Sequence, residues 1–197
     1  MRPGKLSNPF AVQRHGPGRI RFLMPEPEWR DLVERCAASG WRLEIWGPKG
    51  AGKSTLLHSL ADEAEGRGLR VVRARLHDEA PRLPVAFLAG ARFANVIVVD
   101  SAERLPRWQR RLLLAASAGR GLLLTTHTPS ILAQRLPLVG TPEALDAILR
   151  HLLGEDADRL RLRPAEQLAR AKGSIRQALF DLYDDFERDE AFGPDRC

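Results

Sequence analysis

Lysine, cysteine and long apolar runs are all scarce in this chain. The only cysteines are Cys36 and Cys197, so neither a disulfide framework nor a cysteine-based metal centre is indicated, and the reducing cytoplasm is the expected setting. Met1 to Phe10 lack the apolar region of a signal peptide, and every apolar stretch is broken by glycine or charge well short of a bilayer span. The expectation is a soluble, unprocessed protein with no membrane partner. No internal repeat and no low-complexity linker divides it. With Lys5, Lys49, Lys53 and Lys172 as its only lysines, the chain draws nearly all of its positive charge from arginine, and its formal net charge is +6. That excess has two readings: an electrostatic footprint for nucleic acid, or an arginine-rich solvated exterior.

What is present is a motif. Gly47, Pro48, Lys49, Gly50, Ala51, Gly52, Lys53, Ser54 and Thr55 fit G-x-x-x-x-G-K-S/T at every defined position, and they sit where a buried strand hands over to a helix. Glycines allow the backbone to wrap closely enough to aim its N–H groups at phosphate oxygens, and the following helix adds the positive end of its dipole. Lys53 is then expected to reach the β- and γ-phosphates and the Ser54 hydroxyl to ligate magnesium. The expected ligands are a nucleoside triphosphate and Mg²⁺.

The 197 residues leave room for one α/β domain and a small appendage. Residues 1–28, ending at Pro25 and Pro27, read as an extended N-terminal arm. Residues 29–140 alternate helical and strand patterns, with a helix from Trp29, strands at 41–46 and 69–73, a helix over 85–91, the β-branched strand Asn95 to Asp100, a helix over 106–118, and a strand at 121–126. A helical turn over 129–134 and a marginal strand at 136–139 complete the pattern. The resulting expectation is a three-layer α/β sandwich around a five-stranded parallel sheet of order 5-1-4-3-2. In the helix over 106–118, Trp108, Leu112 and Leu113 are expected to pack inward. Thr141-Pro142-Glu143 announces a helix to about Leu153, and 164–171 and 174–190 read as two more, so residues 141–192 form a helical lid before a frayed tail, 193–197.

The chemistry beyond the loop is sparser. Val96 to Asp100 buries an apolar strand and presents a carboxylate at its end, in position to hold magnesium with Ser54. Hydrolysis also needs a group that orients and deprotonates water. Ser101 stands immediately after Asp100, so Glu103 is the nearest acid, with Glu79 more distant and Glu44, inside the first strand, a poorer choice. Thr125, Thr126 or His127 at the end of the fourth strand offers a contact to the γ-phosphate or its attacking water. Arg176, in the first turn of the last helix, opposes the helix dipole unless an anion lies nearby; a phosphate or the acids Asp181, Asp184 and Asp185 would supply one.

In this order the pieces resemble an AAA+-type member of the additional-strand P-loop ATPases. GPKGAGKST stands as Walker A, VIVVD as Walker B, LLLTTH as a sensor 1 region and GSIR as a sensor 2 motif. The resemblance implies ATP-driven switching on a protein or DNA partner, often in a homo-oligomer, with Lys53 on phosphate, Ser54 and Asp100 serving Mg²⁺, Thr126 sensing the γ-phosphate and Arg176 reporting from the lid. It departs from the family at Ser101, where a glutamate is usual, and it gives no assignable arginine finger. Two other readings stay open: a nucleotide-binding regulatory module that does not hydrolyse, and a small-molecule or nucleoside kinase.

Overall fold

The computed structural model describes residues 8–11, 20–77, 82–129, 131–154, 156–159 and 162–188. They belong to two compact units, one formed by Met24–Lys49 and Lys53–Leu138, the other by Met1–Leu23, Gly50–Gly52 and Val139–Cys197.

The first unit opens with α1, Glu26–Ala38, which buries Trp29, Leu32, Val33 and Cys36. It begins three residues before the expected start. The prolines read as the end of an arm are a helix start: Pro25 is the N-cap and Pro27 lies in the first turn, where a missing N–H costs nothing. Burial pushes the Cys36 thiol up to about 12, which leaves it an inert core residue. Then follow β1 (Arg42–Trp46), α2 (Lys53–Gly66), β2 (Val71–Arg75), α3 (Val85–Ala91), β3 (Val96–Asp100), a short 3₁₀ turn (Ala102–Arg104), α4 (Arg107–Ala116), β4 (Gly121–Thr126) and β5 (Arg135–Pro137). All the strand pairs are parallel, in the order β2-β3-β4-β1-β5, the sheet that the sequence predicts.

The edges shift. β2 lies two residues later than its apolar run suggests because it is set by its partner, Val71 against Val96 through Arg75 against Asp100. β5 is likewise placed by Glu44, Ile45 and Trp46 of β1. Residues Ile131 and Leu132, expected in a helical turn, are not helical.

Because side chains alternate across a strand, the sheet has two differently used faces. Ile97, Val99, Leu122 and Leu124 join Phe87 and Ala91 of α3 and Leu113 of α4 in one core, while α2 packs against the sheet through β3 and β4. The inward positions of α4 are Gln109 and Leu113; Trp108 and Leu112 are exposed, which corrects the expected packing of that helix. The reason is a polar tether: Gln109 Oε1 accepts from the Leu83 N–H at 3.3 Å. This fixes the helix rotation, and residues one position earlier face away.

The second unit is helical: α5 (Pro142–Leu153), the short and unforeseen α6 (Asp156–Arg159), α7 (Pro164–Arg170) and α8 (Ile175–Glu187). Thr141 caps α5 by accepting from the Ala144 N–H, and Ser174 caps α8 by accepting from that of Gln177. Leu145, Leu149, Leu168, Ile175, Leu179 and Leu182 form its core together with Phe10. Phe10 is fully buried and meets Phe186 edge to face, with ring centroids 6.3 Å apart. Asn8 donates to the Tyr183 carbonyl and to Glu187, both at 3.1 Å. Asn8 and Phe10, from the predicted arm, are thus tied into the helical unit. The predicted tail, 193–197, and much of the predicted arm lie outside the described residues. No helix among the described residues is long and apolar enough to cross a membrane.

Candidate functional site

The site is built at the carboxyl ends of β1, β3 and β4. Gly47 follows β1, and a Cβ there would lie 2.0 Å from the Leu138 carbonyl oxygen, so only glycine lets the strand turn beside the chain leaving β5. Gly50 and Gly52 both adopt positive φ, 86° and 94°, a conformation that costs a side-chain-bearing residue about 1 kcal/mol or more. Within the helical unit, to which Gly50–Gly52 belong by contact, the Gly50 carbonyl accepts from the Arg176 backbone N–H at 3.3 Å. A Cβ on Gly50 would meet Ser174 Oγ at 2.1 Å.

Lys53 opens α2 as a buried cation. Its ammonium donates to the carbonyls of Gly47 and Pro48, each at 2.8 Å, so the side chain curls over the loop it follows. Next to it, Ser54 Oγ donates to Asp100 Oδ1 at 3.0 Å. Thr125 Oγ1 donates to the same oxygen at 2.6 Å and accepts from the Ser101 N–H at 2.8 Å. Three elements therefore converge on one carboxylate. Its other oxygen, Oδ2, is buried and has no hydrogen-bond partner; Arg75 Nε approaches it at 3.5 Å.

That orphaned oxygen tests the fit of magnesium. A hydroxyl and a carboxylate are hard oxygen ligands, and magnesium prefers one or two such groups completed by phosphate and water. The residues present fit: Ser54 and Asp100 would hold the ion. Among the described residues no group of three His, Cys, Asp or Glu side chains converges as a metal centre.

Ser101, which stands where the resemblance leads one to expect an acid, has φ 65°, the left-handed region. It turns the chain sharply into the 3₁₀ turn that carries Glu103. Glu103 Oε1 lies 3.1 Å from His127 Nε2, and its Oε2 is buried without a hydrogen-bond partner. Its backbone carbonyl accepts from Arg110, which also donates to the Leu105 carbonyl at 2.9 Å. Glu79 lies outside the described residues.

The two threonines of β4 part company. Thr126 Oγ1 donates to Glu44 Oε1 at 2.8 Å, and Glu44 Oε2 accepts from the backbone N–H groups of Ile131 (3.0 Å) and Leu132 (2.8 Å). Thr126 is thus tied to a buried structural carboxylate, whereas Thr125 is the hydroxyl on Asp100. Strand parity was the available signal: Thr125 and Thr126 must face opposite sides, and residue 124, two before Thr126, lies in the core under α3 and α4. Glu44 pairs in register with that same Leu124, so it shares the Thr126 face. Arg176 is exposed in the first turn of α8. Asp181, one of the anions considered for it, accepts instead from Gln177 Nε2 at 2.8 Å.

His58, half-buried on α2, has its pKa lowered, first by burial; the nearby Asp100 charge opposes that shift.

No family model matches the chain, and no curated protein matches it. Solved structures do. It superimposes on NtrX from Brucella abortus in complex with ATP with a TM-score of 0.63 at 14% identity, covering 90% of this chain and 52% of that one. A replication initiator DnaA bound to AMPPCP and single-stranded DNA matches with a TM-score of 0.60 at 13% identity, over 88% of this chain and 64% of that one. AMPPCP-bound DnaA from Aquifex aeolicus matches at 0.53 and 13%, over 86% and 67%. This chain spans about half to two thirds of the length of these structures. At such identities the likeness is one of fold, and the fold it shows is that of the AAA+-type P-loop ATPases.

Proposed function

We propose that this chain binds ATP with magnesium at Gly47–Thr55 and hydrolyses it slowly, as a nucleotide-driven switch acting on a protein or nucleic-acid partner. The observation that carries the reading is the meeting of Ser54 and Asp100 at 3.0 Å, with a buried second carboxylate oxygen left without a hydrogen bond. Solved neighbours that carry ATP or AMPPCP support the nucleotide, and the DnaA structure with single-stranded DNA supports nucleic acid as one class of partner.

Each residue then has a task. Lys53 exchanges the loop carbonyls for phosphate oxygens, a charge-assisted bond stronger than the ones it leaves. Thr125 and Ser54 together hold Asp100 Oδ1. Magnesium, when bound, neutralises charge on the phosphate oxygens. Glu103, steadied by His127, accepts a proton from the attacking water, and Arg176 contributes its cation from the helical lid, residues 141–192. The expected setting is the cytoplasm.

Steady-state phosphate release in Mg²⁺-ATP tests this, with Lys53→Ala losing both turnover and binding of a fluorescent ATP analogue. Turnover unaffected by Lys53→Ala sinks the reading. A second reading, nucleotide binding without hydrolysis, is favoured by Ser101, whose N–H is tied to Thr125 where a catalytic acid is usual. Tight binding with no phosphate release, with partner added, selects it.

A further inference from the structure

We propose that the outer surface of α3 and α4 docks an acidic, apolar segment of a partner protein. This deepens the partner half of the function proposed above and rests on that half alone.

Seven large hydrophobic side chains stand exposed among the described residues, and five of them belong to this one layer: Val85 at 83%, Leu88 at 44%, Phe93 at 69%, Trp108 at 57% and Leu112 at 55%. Single exposed apolar residues need no explanation, but a group of them on neighbouring elements does. The two helices are neighbours by their shared core, by the Leu83–Gln109 hydrogen bond, and at their far ends by Arg120, which donates to the Arg92 carbonyl at 3.2 Å.

The charge on this layer is one-sided. Between Arg82 and Arg120 the sequence holds seven arginines, no lysine and two acids, and both acids are spoken for, Asp100 by Ser54 and Thr125, Glu103 by His127. Arg110 and Arg120 spend their guanidinium groups on backbone carbonyls. Arg82, Arg92, Arg107 and Arg111 are exposed, and no ion pair to them is found among the described residues. The helices α1 and α2 differ: there Glu34 takes Arg67 at 2.6 Å, and Asp62 and Glu65 take Arg73.

A surface of Trp, Phe, Leu and Arg, free of lysine and of exposed acids, has the composition of a protein interface core. Arg107 and Arg111, one helical turn apart, flank Trp108 and Leu112 and present planar donors suited to carboxylates. Bases stack on aromatic rings, not on the aliphatic Val85, Leu88 and Leu112. An amphipathic helix with apolar anchors at helical spacing and Asp or Glu beside them satisfies both halves of the surface.

The probe is a phage-displayed library of random peptides about four helical turns long, panned against the full chain in Mg²⁺-ATP. The expected result is recovery of sequences rich in Asp and Glu with Leu, Phe or Trp at helical spacing. Their affinity should fall at least ~10-fold in Trp108→Ala and in Arg107→Glu/Arg111→Glu, while ATP-analogue binding and the melting midpoint stay unchanged. The proposal is overturned if no acidic-apolar sequence is recovered, or if recovered peptides bind these variants equally well. It is also overturned if oligo-dT binds through Trp108 at physiological salt, or if the same substitutions abolish self-association of the chain. Failure of ATP-analogue binding in the wild type strikes the nucleotide reading and leaves the peptide result standing.

Discussion

The two faces of the sheet each bury a carboxylate, Glu44 within β1 and Asp100 at the end of β3, and consecutive threonines of β4 serve them. On one face, Glu44 is wholly buried and saturated by the Thr126 hydroxyl and the Ile131 and Leu132 N–H groups. On the other, Asp100 takes two hydroxyls on one oxygen and leaves the second without a hydrogen bond. A buried charge is tolerated when its lone pairs are filled. One carboxylate is finished and the other still has hydrogen-bonding capacity: Glu44 fastens the chain between β4 and β5, whereas Asp100 Oδ2 has only the Arg75 guanidinium, 3.5 Å away.

Substitutions can break this contrast. The largest effect is expected from Glu44→Ala, which orphans one hydroxyl and two backbone donors and should cost about 3 kcal/mol or more in chemical denaturation. Asp100→Asn should leave apo stability unchanged or raised, because a buried charge is removed, yet weaken Mg²⁺-dependent ATP binding by roughly 10- to 100-fold, the equivalent of one charge-assisted contact of about 1.5–3 kcal/mol. Equal loss of stability in the two variants would erase the distinction. Thr126→Val should cost about 1 kcal/mol of stability and Thr125→Val a similar amount of ATP turnover free energy, roughly fivefold in rate, measured side by side. The reverse assignment would favour Thr126 as the residue that senses phosphate.

The smallest effect concerns His58. Burial lowers its folded pKa below the ordinary 6.5, against the pull of Asp100. The unfolded chain therefore binds the proton more tightly. His58 contributes its full stability above about pH 6.5 and loses it as the pH falls through that value, levelling off below the folded pKa. Denaturation midpoints across this range should slope less in His58→Gln. In Asp100→Asn, where the opposing charge is gone, the slope should extend to lower pH.

Much of this arrangement was legible. The glycine-rich loop Gly47–Thr55, the run Val96–Asp100 and the short apolar Gly121–Thr126 announced a parallel sheet and its order, because buried central strands are continuously apolar and turn where glycine allows. The helix Val85–Ala91 and the cap at Thr141 were equally local. Less legible were the edges: Val71–Arg75 and Arg135–Pro137 carry little burial of their own, and the neighbouring strand sets their limits. Trp108 misled because its apolar character outweighed Gln109, whose inward place depends on a donor, Leu83, that is distant in sequence. Phe10 lacked any periodic context, and its burial against Phe186 depends on residues at the other end of the chain.

The glycine-rich loop Gly47–Thr55, the sheet order and the carboxylate ending β3 could be read from the chain alone, since each rests on residues close together and on the steric needs of glycine, β-branched runs and helix starts. Packing alone fixed which threonine meets Asp100, that Glu44 is a hydrogen-bonded fastening, and that α4 turns its tryptophan outward. Those depend on side-chain parity and on hydrogen bonds between residues tens of positions apart, where a single residue of register moves a hydroxyl from one face of the sheet to the other.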